Sequence, residues 1–213
     1  MTSPWPSPAV MESLAAVTSC RRGEVVYARG DPVEHLYRIV FGLARKYSMM
    51  PDGRRQIVDF LLPGDFFGFN ARQQHQLTVE AVVDGTVVAH YPREHVERLA
   101  ETDPQVGRYL CEMAFQALSR FQAHILILGR TTAVDKVRSF LVELAERSSS
   151  GSPDSVVLPM SHQDIADYLD LSVGTVSHAL TDLKRSDAIT LTARHRVTIA
   201  QRSTSAQDNG LED

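Results

Sequence analysis

The chain has 213 residues with 22 Lys and Arg against 26 Asp and Glu, a formal charge of −4. That is long enough for one large or two modest cores, and too acidic for a protein that coats nucleic acid over its whole surface. Cys20 and Cys111 stand far apart without CxxC spacing, which excludes a four-cysteine iron–sulfur cluster or a Cys-type zinc site built by this chain alone. Residues 1–19 read as a tail: Thr2-Ser3-Pro4-Trp5-Pro6-Ser7-Pro8, then a short helix around Ala9–Val17. From Cys20 to about Pro92, short runs of branched and aromatic residues alternate with Gly- and Pro-containing turns. Examples are Leu36–Val40, Arg55–Phe60 and Thr86–Tyr91, with Pro51-Asp52-Gly53 and Pro63-Gly64-Asp65 between strands. Regular short strands with such turns predict a β jelly-roll barrel over residues 20–102.

A short helix from His95 to Thr102 follows. Asp103 then serves as N-cap and Pro104 as first-turn residue of a long helix. Val106, Leu110, Met113, Ala117, Phe121, Ile125 and Leu128 recur along it at three- and four-residue steps. That stripe predicts a two-helix dimerisation seam about 37 Å long, although the same stripe would also suit packing onto the chain's own barrel. Residues 103–129 are read as this helix, and 130–203 as a separate unit. In that unit Thr132 and Asp135 resemble a capping box before a helix from Ala133 to about Arg147. A polar loop, Ser148–Ser155, and a short strand, Val156–Met160, lead on, and residues 204–213 form a polar, frayed tail.

The stretch Ser161–Leu180 reads as two short helices joined by a tight turn. Ser161 and Ser172 are N-caps, and Asp170 occupies the turn position that requires a left-handed backbone. Ile165, Ala166, Leu169, Leu171, Val176 and Leu180 form the apolar side. The second helix leaves Ser172, Val173, Gly174, Thr175, Ser177 and His178 for a DNA major groove, with Ser161 and Gln163 beside them. Ile189–Leu191 and Val197–Ile199 make a wing. Between Leu171 and Arg202 five basic residues stand against two acidic ones, and Lys184, Arg185, Arg194 and Arg196 are the phosphate-contact candidates.

Gly23-Glu24-Val25-Val26 with Gly30-Asp31, Leu62-Pro63-Gly64-Asp65-Phe66-Phe67-Gly68-Phe69, Gln122–Leu128 and Asp164-Ile165-Ala166-Asp167-Tyr168-Leu169 resemble the CRP/FNR transcription regulators, in particular their FNR and FixK branch. The resemblance spans roughly Cys20 to Arg202. It implies an α+β chain with a cyclic-nucleotide-binding-like barrel, a dimerisation helix and a winged helix-turn-helix. It also implies a homodimer that binds palindromic double-stranded DNA and contacts RNA polymerase.

Three departures stand out. The family's cyclic-nucleotide turn carries a Glu for the ribose and, about ten residues on, an Arg for the phosphate. Here the turn is Gly68-Phe69-Asn70-Ala71, Arg72 stands too early, and the equivalent loop is Gln73-Gln74-His75-Gln76. Oxygen-sensing relatives carry a cysteine cluster before the barrel, where this chain has Cys20 alone. The usual Glu-x-x-Ser-Arg of the recognition helix is Gly174-Thr175-Val176-Ser177-His178. Arginine reads guanine through two parallel hydrogen bonds, whereas histidine donates at most one to that edge.

The reading is therefore a DNA-binding transcription regulator, not an enzyme, with no cofactor or metal. It is placed in the cytoplasm and away from membranes, because no apolar run approaches a span and no export signal opens the chain. Two alternatives stay open: a sensor gated by haem or a cyclic nucleotide, and a relative that has lost specific DNA binding and acts through protein contacts. His75 is read as a solvated loop residue and Cys111 as a buried thiol. Asp52-Gly53-Arg54-Arg55 is read as a solvated hairpin.

Overall fold

The computed structural model describes residues 9–148, 155–192 and 196–200. The expectations for Trp5 and its tail, for most of the 148–155 loop, for Arg194 and for the segment from Thr204 lie outside these residues. Eight strands build the first half: β1 (Ala16–Cys20), β2 (Val25–Tyr27), β3 (His35–Phe41), β4 (Ala44–Met49), β5 (Arg55–Leu61), β6 (Phe66–Phe67), β7 (Thr78–Ala81) and β8 (Thr86–Pro92). They form two antiparallel sheets, ordered β1-β8-β3-β6 and β2-β7-β4-β5. The sheets face each other as a jelly roll without hydrogen-bonding into a closed cylinder.

The helix expected over Ala9–Val17 is shorter. Helix α1 covers Ala9–Ser13, and the chain is extended from Ala16. Val17 and Thr18 are β-branched, and their backbones pair with Ala89 and Val88 of β8, so the ladder overrides the weak local helix signal. Strand β6 escapes a sequence reading because it is two residues long, paired with Tyr37 and Arg38.

Helix α2 (Arg93–Thr102) leads to α3 (Pro104–Leu128), where the Asp103 carboxylate accepts from the Gln105 N–H and Pro104 opens the helix. Helix α4 (Ala133–Arg147) starts at Thr132, whose hydroxyl oxygen accepts from the Asp135 N–H. Helix α3 has two working faces. Val106, Tyr109, Met113, Arg120, His124 and Ile127 are buried within the chain itself. Val106 (0% exposed) and Met113 (3%) sit in a cluster with Met11, Leu36, Phe66, Tyr91 and Val96, and Leu110 packs against it. This corrects the expected seam: Val106 and Met113 are core residues of the protomer. A helix this long has room for two apolar stripes, and periodicity alone cannot say which one its own sheet claims.

Charged groups anchor α3 and α4 to the sandwich. Arg120 reaches Asp59 (3.1 Å) and Asp65 (3.2 Å), and Arg147 reaches Asp65 (2.8 Å) and the Phe60 carbonyl (2.7 Å). Asp65, from the Pro63-Gly64-Asp65 turn, also accepts the Leu62 N–H. One apolar core then continues from Leu43, Ile57, Phe60 and Val82 of the sandwich into Phe140 of α4 and Tyr168 further on.

Three histidines are packed into this body. His75 stacks on Tyr27 (3.6 Å between ring centres) and is 3% exposed, which corrects its reading as a solvated loop residue. His124 stacks on Tyr168 (3.8 Å) and its Nε2–H donates to the Tyr168 carbonyl. The Nε2 atoms of His75 and His90 are buried without a partner among the described residues. Burial disfavours the charged ring and pulls all three below the usual histidine value. The unfolded chain, titrating near about pH 6.5, therefore takes up protons first. The stability these rings confer is complete above that pH and is lost as the pH falls through the lower, folded values. The thermal midpoint should accordingly drop between pH 7.5 and 5.5 in scanning calorimetry; a flat profile over that range would contradict the neutral, buried assignment.

Candidate nucleic-acid interface

The second half of the chain folds as α5 (His162–Leu169), α6 (Val173–Arg185) and a sheet of β9 (Ser155–Val157), β10 (Ile189–Thr192) and β11 (Arg196–Ile199), ordered β10-β11-β9. The strand expected over Val156–Met160 begins one residue earlier and ends at Val157, and it pairs with β11 of the wing. Ser161 and Asp164 form a full capping box at the start of α5. Asp170 ends that helix in the left-handed region (φ 52°), and its N–H closes on the Ala166 carbonyl, the geometry that lets the chain turn sharply into α6. Ser172 caps α6 by accepting the Thr175 N–H at 3.0 Å. Ile165, Ala166, Leu169, Val176, Ala179, Leu180 and Leu183 are buried between the helices.

The expected contact residues divide into two groups. Ser161 and Ser172 spend their oxygens on caps, and the Thr175 hydroxyl lies 2.8 Å from that of Ser172. Ser177 lies 3.1 Å from Nδ1 of His162, and Gln163 donates to Asp167 at 2.6 Å. Val173, Gly174 and His178 are exposed at the start and on the outer side of α6, and Lys184 and Arg185 are exposed in its last turn. The His178 side chain makes no hydrogen bond or ion pair among the described residues. Arg196, on β11, donates to the Ser155 hydroxyl. His162 was not singled out from the sequence. Its link to Ser177 joins two helices fifteen positions apart, and no local periodicity reports such a pair.

Residues 17–103 match the cyclic nucleotide-binding domain, and residues 135–204 match the Crp-like helix-turn-helix domain. The nitrogen fixation regulation protein FixK of Bradyrhizobium diazoefficiens is 41% identical over 171 residues, covering 79% of this chain and 72% of its own. The chain belongs to the CRP/FNR family. The transcriptional activator protein FnrL of Cereibacter sphaeroides is 34% identical over 197 residues, 90% of this chain and 79% of its own. The solved structure of FixK2 from Bradyrhizobium japonicum superposes with a TM-score of 0.81 at 38% identity, covering 88% of this chain and 93% of that one. This CRP/FNR protein is thus a DNA-binding transcription regulator and not an enzyme; homodimers and contact with RNA polymerase are typical of its family. Among the described residues no helix is long and apolar enough to cross a membrane.

The family's first domain implies a cyclic nucleotide, and the residues here do not fit one. Between the sheets lie Tyr27, Tyr37, Phe67, Ile39 and Val79, with the His75 ring stacked on Tyr27 and Tyr37 stacked on Phe67. Arg72 is exposed, so no arginine from the expected loop turns inward to face a buried phosphate. Cys20 is buried and its thiol is pushed up by burial, whereas Cys111 is exposed on α3, contrary to its reading as a buried thiol.

Gly174 has ordinary helical backbone, and a Cβ built on it would meet only the Ser172 hydroxyl at 3.8 Å. Glycine inside a helix costs about 0.8–1 kcal/mol relative to alanine. Gly174→Ala should therefore raise unfolding stability by up to about 1 kcal/mol in urea titration. A destabilised variant would mean that the first turn of α6 is not helical.

Proposed function

We propose that this regulator binds, as a homodimer in the cytoplasm, an inverted repeat whose half-sites are read by α6. The work divides along the chain: residues 20–102 form the body, 103–129 the dimerisation helix and 130–203 the reader. The observation that carries the reading is the capped, exposed start of α6, whose outer side presents Val173, Gly174 and His178 with Ser177 beside them. Ser161 and Gln163 flank that surface. Lys184, Arg185, Arg194 and Arg196 supply the phosphate contacts that hold the helix in the groove. The filled interior of the sandwich argues against gating by haem or a cyclic nucleotide.

The seam we assign lies on the outer face of α3. Cys111, Leu118 and Ile125 are seven residues apart, as are Ala114, Phe121 and Leu128, which is the alternating three–four step of a two-stranded seam. Leu118 is 50% and Ile125 66% exposed in the protomer. Phe121, Ile125 and Leu128 remain from the sequence expectation; Ala117 is half-buried at its edge. The same three residues line a cleft of about 350 Å³ with His124, Lys136 and Asp170, so the partner's helix would close it. The double variant Leu118→Glu/Ile125→Glu should sediment as a folded monomer, because both side chains are exposed within one chain. Persistence of the dimer would place the seam elsewhere.

Selection from a random duplex pool tests the DNA reading. It should return an inverted repeat with half-sites about one helical turn apart. Recovery of no consensus would favour the reading in which specific binding is lost and the protein acts through protein contacts. In the same selection His178→Arg should add a guanine within each half-site, since a guanidinium makes the two parallel hydrogen bonds that imidazole cannot. An unchanged consensus would place His178 outside the base-reading set.

A further inference from the structure

The β4–β5 hairpin of the sandwich grips the reader. Arg45 of β4 reaches Asp164 of α5 at 2.7 Å and is itself held by Glu80 of β7. Arg55 of β5 reaches the same Asp164 oxygen at 2.6 Å, and its Nε donates to Asp167 at 2.8 Å. Gln56 donates to the Asp167 backbone carbonyl at 2.8 Å. The other Asp167 oxygen accepts from Gln163, so a continuous chain of contacts runs from the sandwich to the flank of the reading surface. These groups are largely shielded: the side chains of Asp164, Asp167, Arg45 and Arg55 are 2%, 13%, 15% and 20% exposed.

We propose that Arg45, Arg55 and Gln56, none of them part of the reader, are positioning residues that set the half-site spacing this regulator accepts. The proposal rests on the reading of a homodimer on an inverted repeat. In such a dimer α3 fixes one sandwich against the other, and each sandwich carries its own α5 and α6. Between α3 and the reader the chain breaks at Gly129–Thr132, so the covalent path alone leaves the reader's direction free. The apolar core shared by Phe60 and Tyr168 holds the reader close, but apolar burial is non-directional. Charge-assisted hydrogen bonds from two guanidinium groups and an amide are directional, and they decide the angle. One base pair added between half-sites moves the second by about 3.4 Å and turns it by about 35°. Two readers clamped at one angle cannot follow that change. Without these contacts the start of α5 loses its tie to β4 and β5, while Arg147 on Asp65 and His124 on the Tyr168 carbonyl still keep the reader attached, and the angle can give.

The test uses the full-length dimer and the inverted repeat selected for wild type, with the central spacer at its native length and one base pair shorter or longer. Wild type should prefer the native spacer by about tenfold or more, the scale of one wrong base pair. Arg55→Ala and Gln56→Ala should reduce that preference to about threefold or less, with the base preference inside each half-site unchanged. A role limited to stability would weaken binding to all spacers equally and leave the ratio intact. Calorimetry and sedimentation establish that the variants fold and dimerise. If Arg55→Ala does not fold, Arg55→Lys takes its place: a point charge cannot span Asp164 and Asp167 as the guanidinium fork does, so the ratio should still fall. Folded variants that keep the wild-type ratio overturn the proposal while the inverted-repeat reading stands. A wild type indifferent to spacing overturns that reading and the proposal with it.

Discussion

One buried carboxylate ties the two halves of the chain together. Oδ2 of Asp164 receives the Ser161 N–H (3.1 Å) and hydroxyl (2.8 Å), which starts α5, while Oδ1 receives Arg45 and Arg55 from the sandwich. Burial opposes its ionisation, but the Ser161 hydrogen bonds and the two guanidinium groups overcome that and hold the carboxyl below its usual range. The start of the reading motif and its attachment to the body are therefore one interaction. Removing the carboxylate would leave Arg45 to Glu80 and Arg55 to Asp167, and would undo the cap of α5 and its tie to β4 together.

The same device recurs where α3 and α4 meet the sandwich. Asp59 and Asp65 face Arg120 and Arg147, and Glu143 completes the group. Lys46 is enclosed beside them, over the Phe121 ring, and burial lowers its affinity for a proton. Both clusters border the core that runs from Leu43, Ile57 and Phe60 to Phe140 and Tyr168. Apolar area supplies adhesion between the halves, and the charged groups supply register. In a domain whose family is named for a ligand, the interior is packed with the chain's own rings, and the outer hairpin bonds to α5.

Local elements were legible from the sequence because they depend on short-range rules. Ser161 and Ser172 as caps, Asp170 in the left-handed region, and Asp103-Pro104 at the start of α3 all stand as expected. So do the strands expected over Leu36–Val40, Arg55–Phe60 and Thr86–Tyr91, which are β3, β5 and β8 to within one residue at each end. These depend on neighbours within four positions, where side-chain chemistry and backbone geometry act directly. Gly174 and His178, where the resemblance leads one to expect Glu and Arg, were likewise visible in the residues themselves.

What only the tertiary structure decided is which partner each side chain meets. Val106 and Met113 carry the same periodic signal as Leu118 and Ile125, yet the first pair is enclosed by the chain's own sheet and the second faces outward. His75 reads as a polar loop residue until the fold brings Tyr27 against its ring. Arg54 and Arg55 read as the charged end of a hairpin, yet they reach Asp170, Asp164 and Asp167 across more than a hundred positions. Such contacts leave no trace in local spacing, because their energy depends on distance in space and on exclusion of water, both of which exist only once the chain has folded.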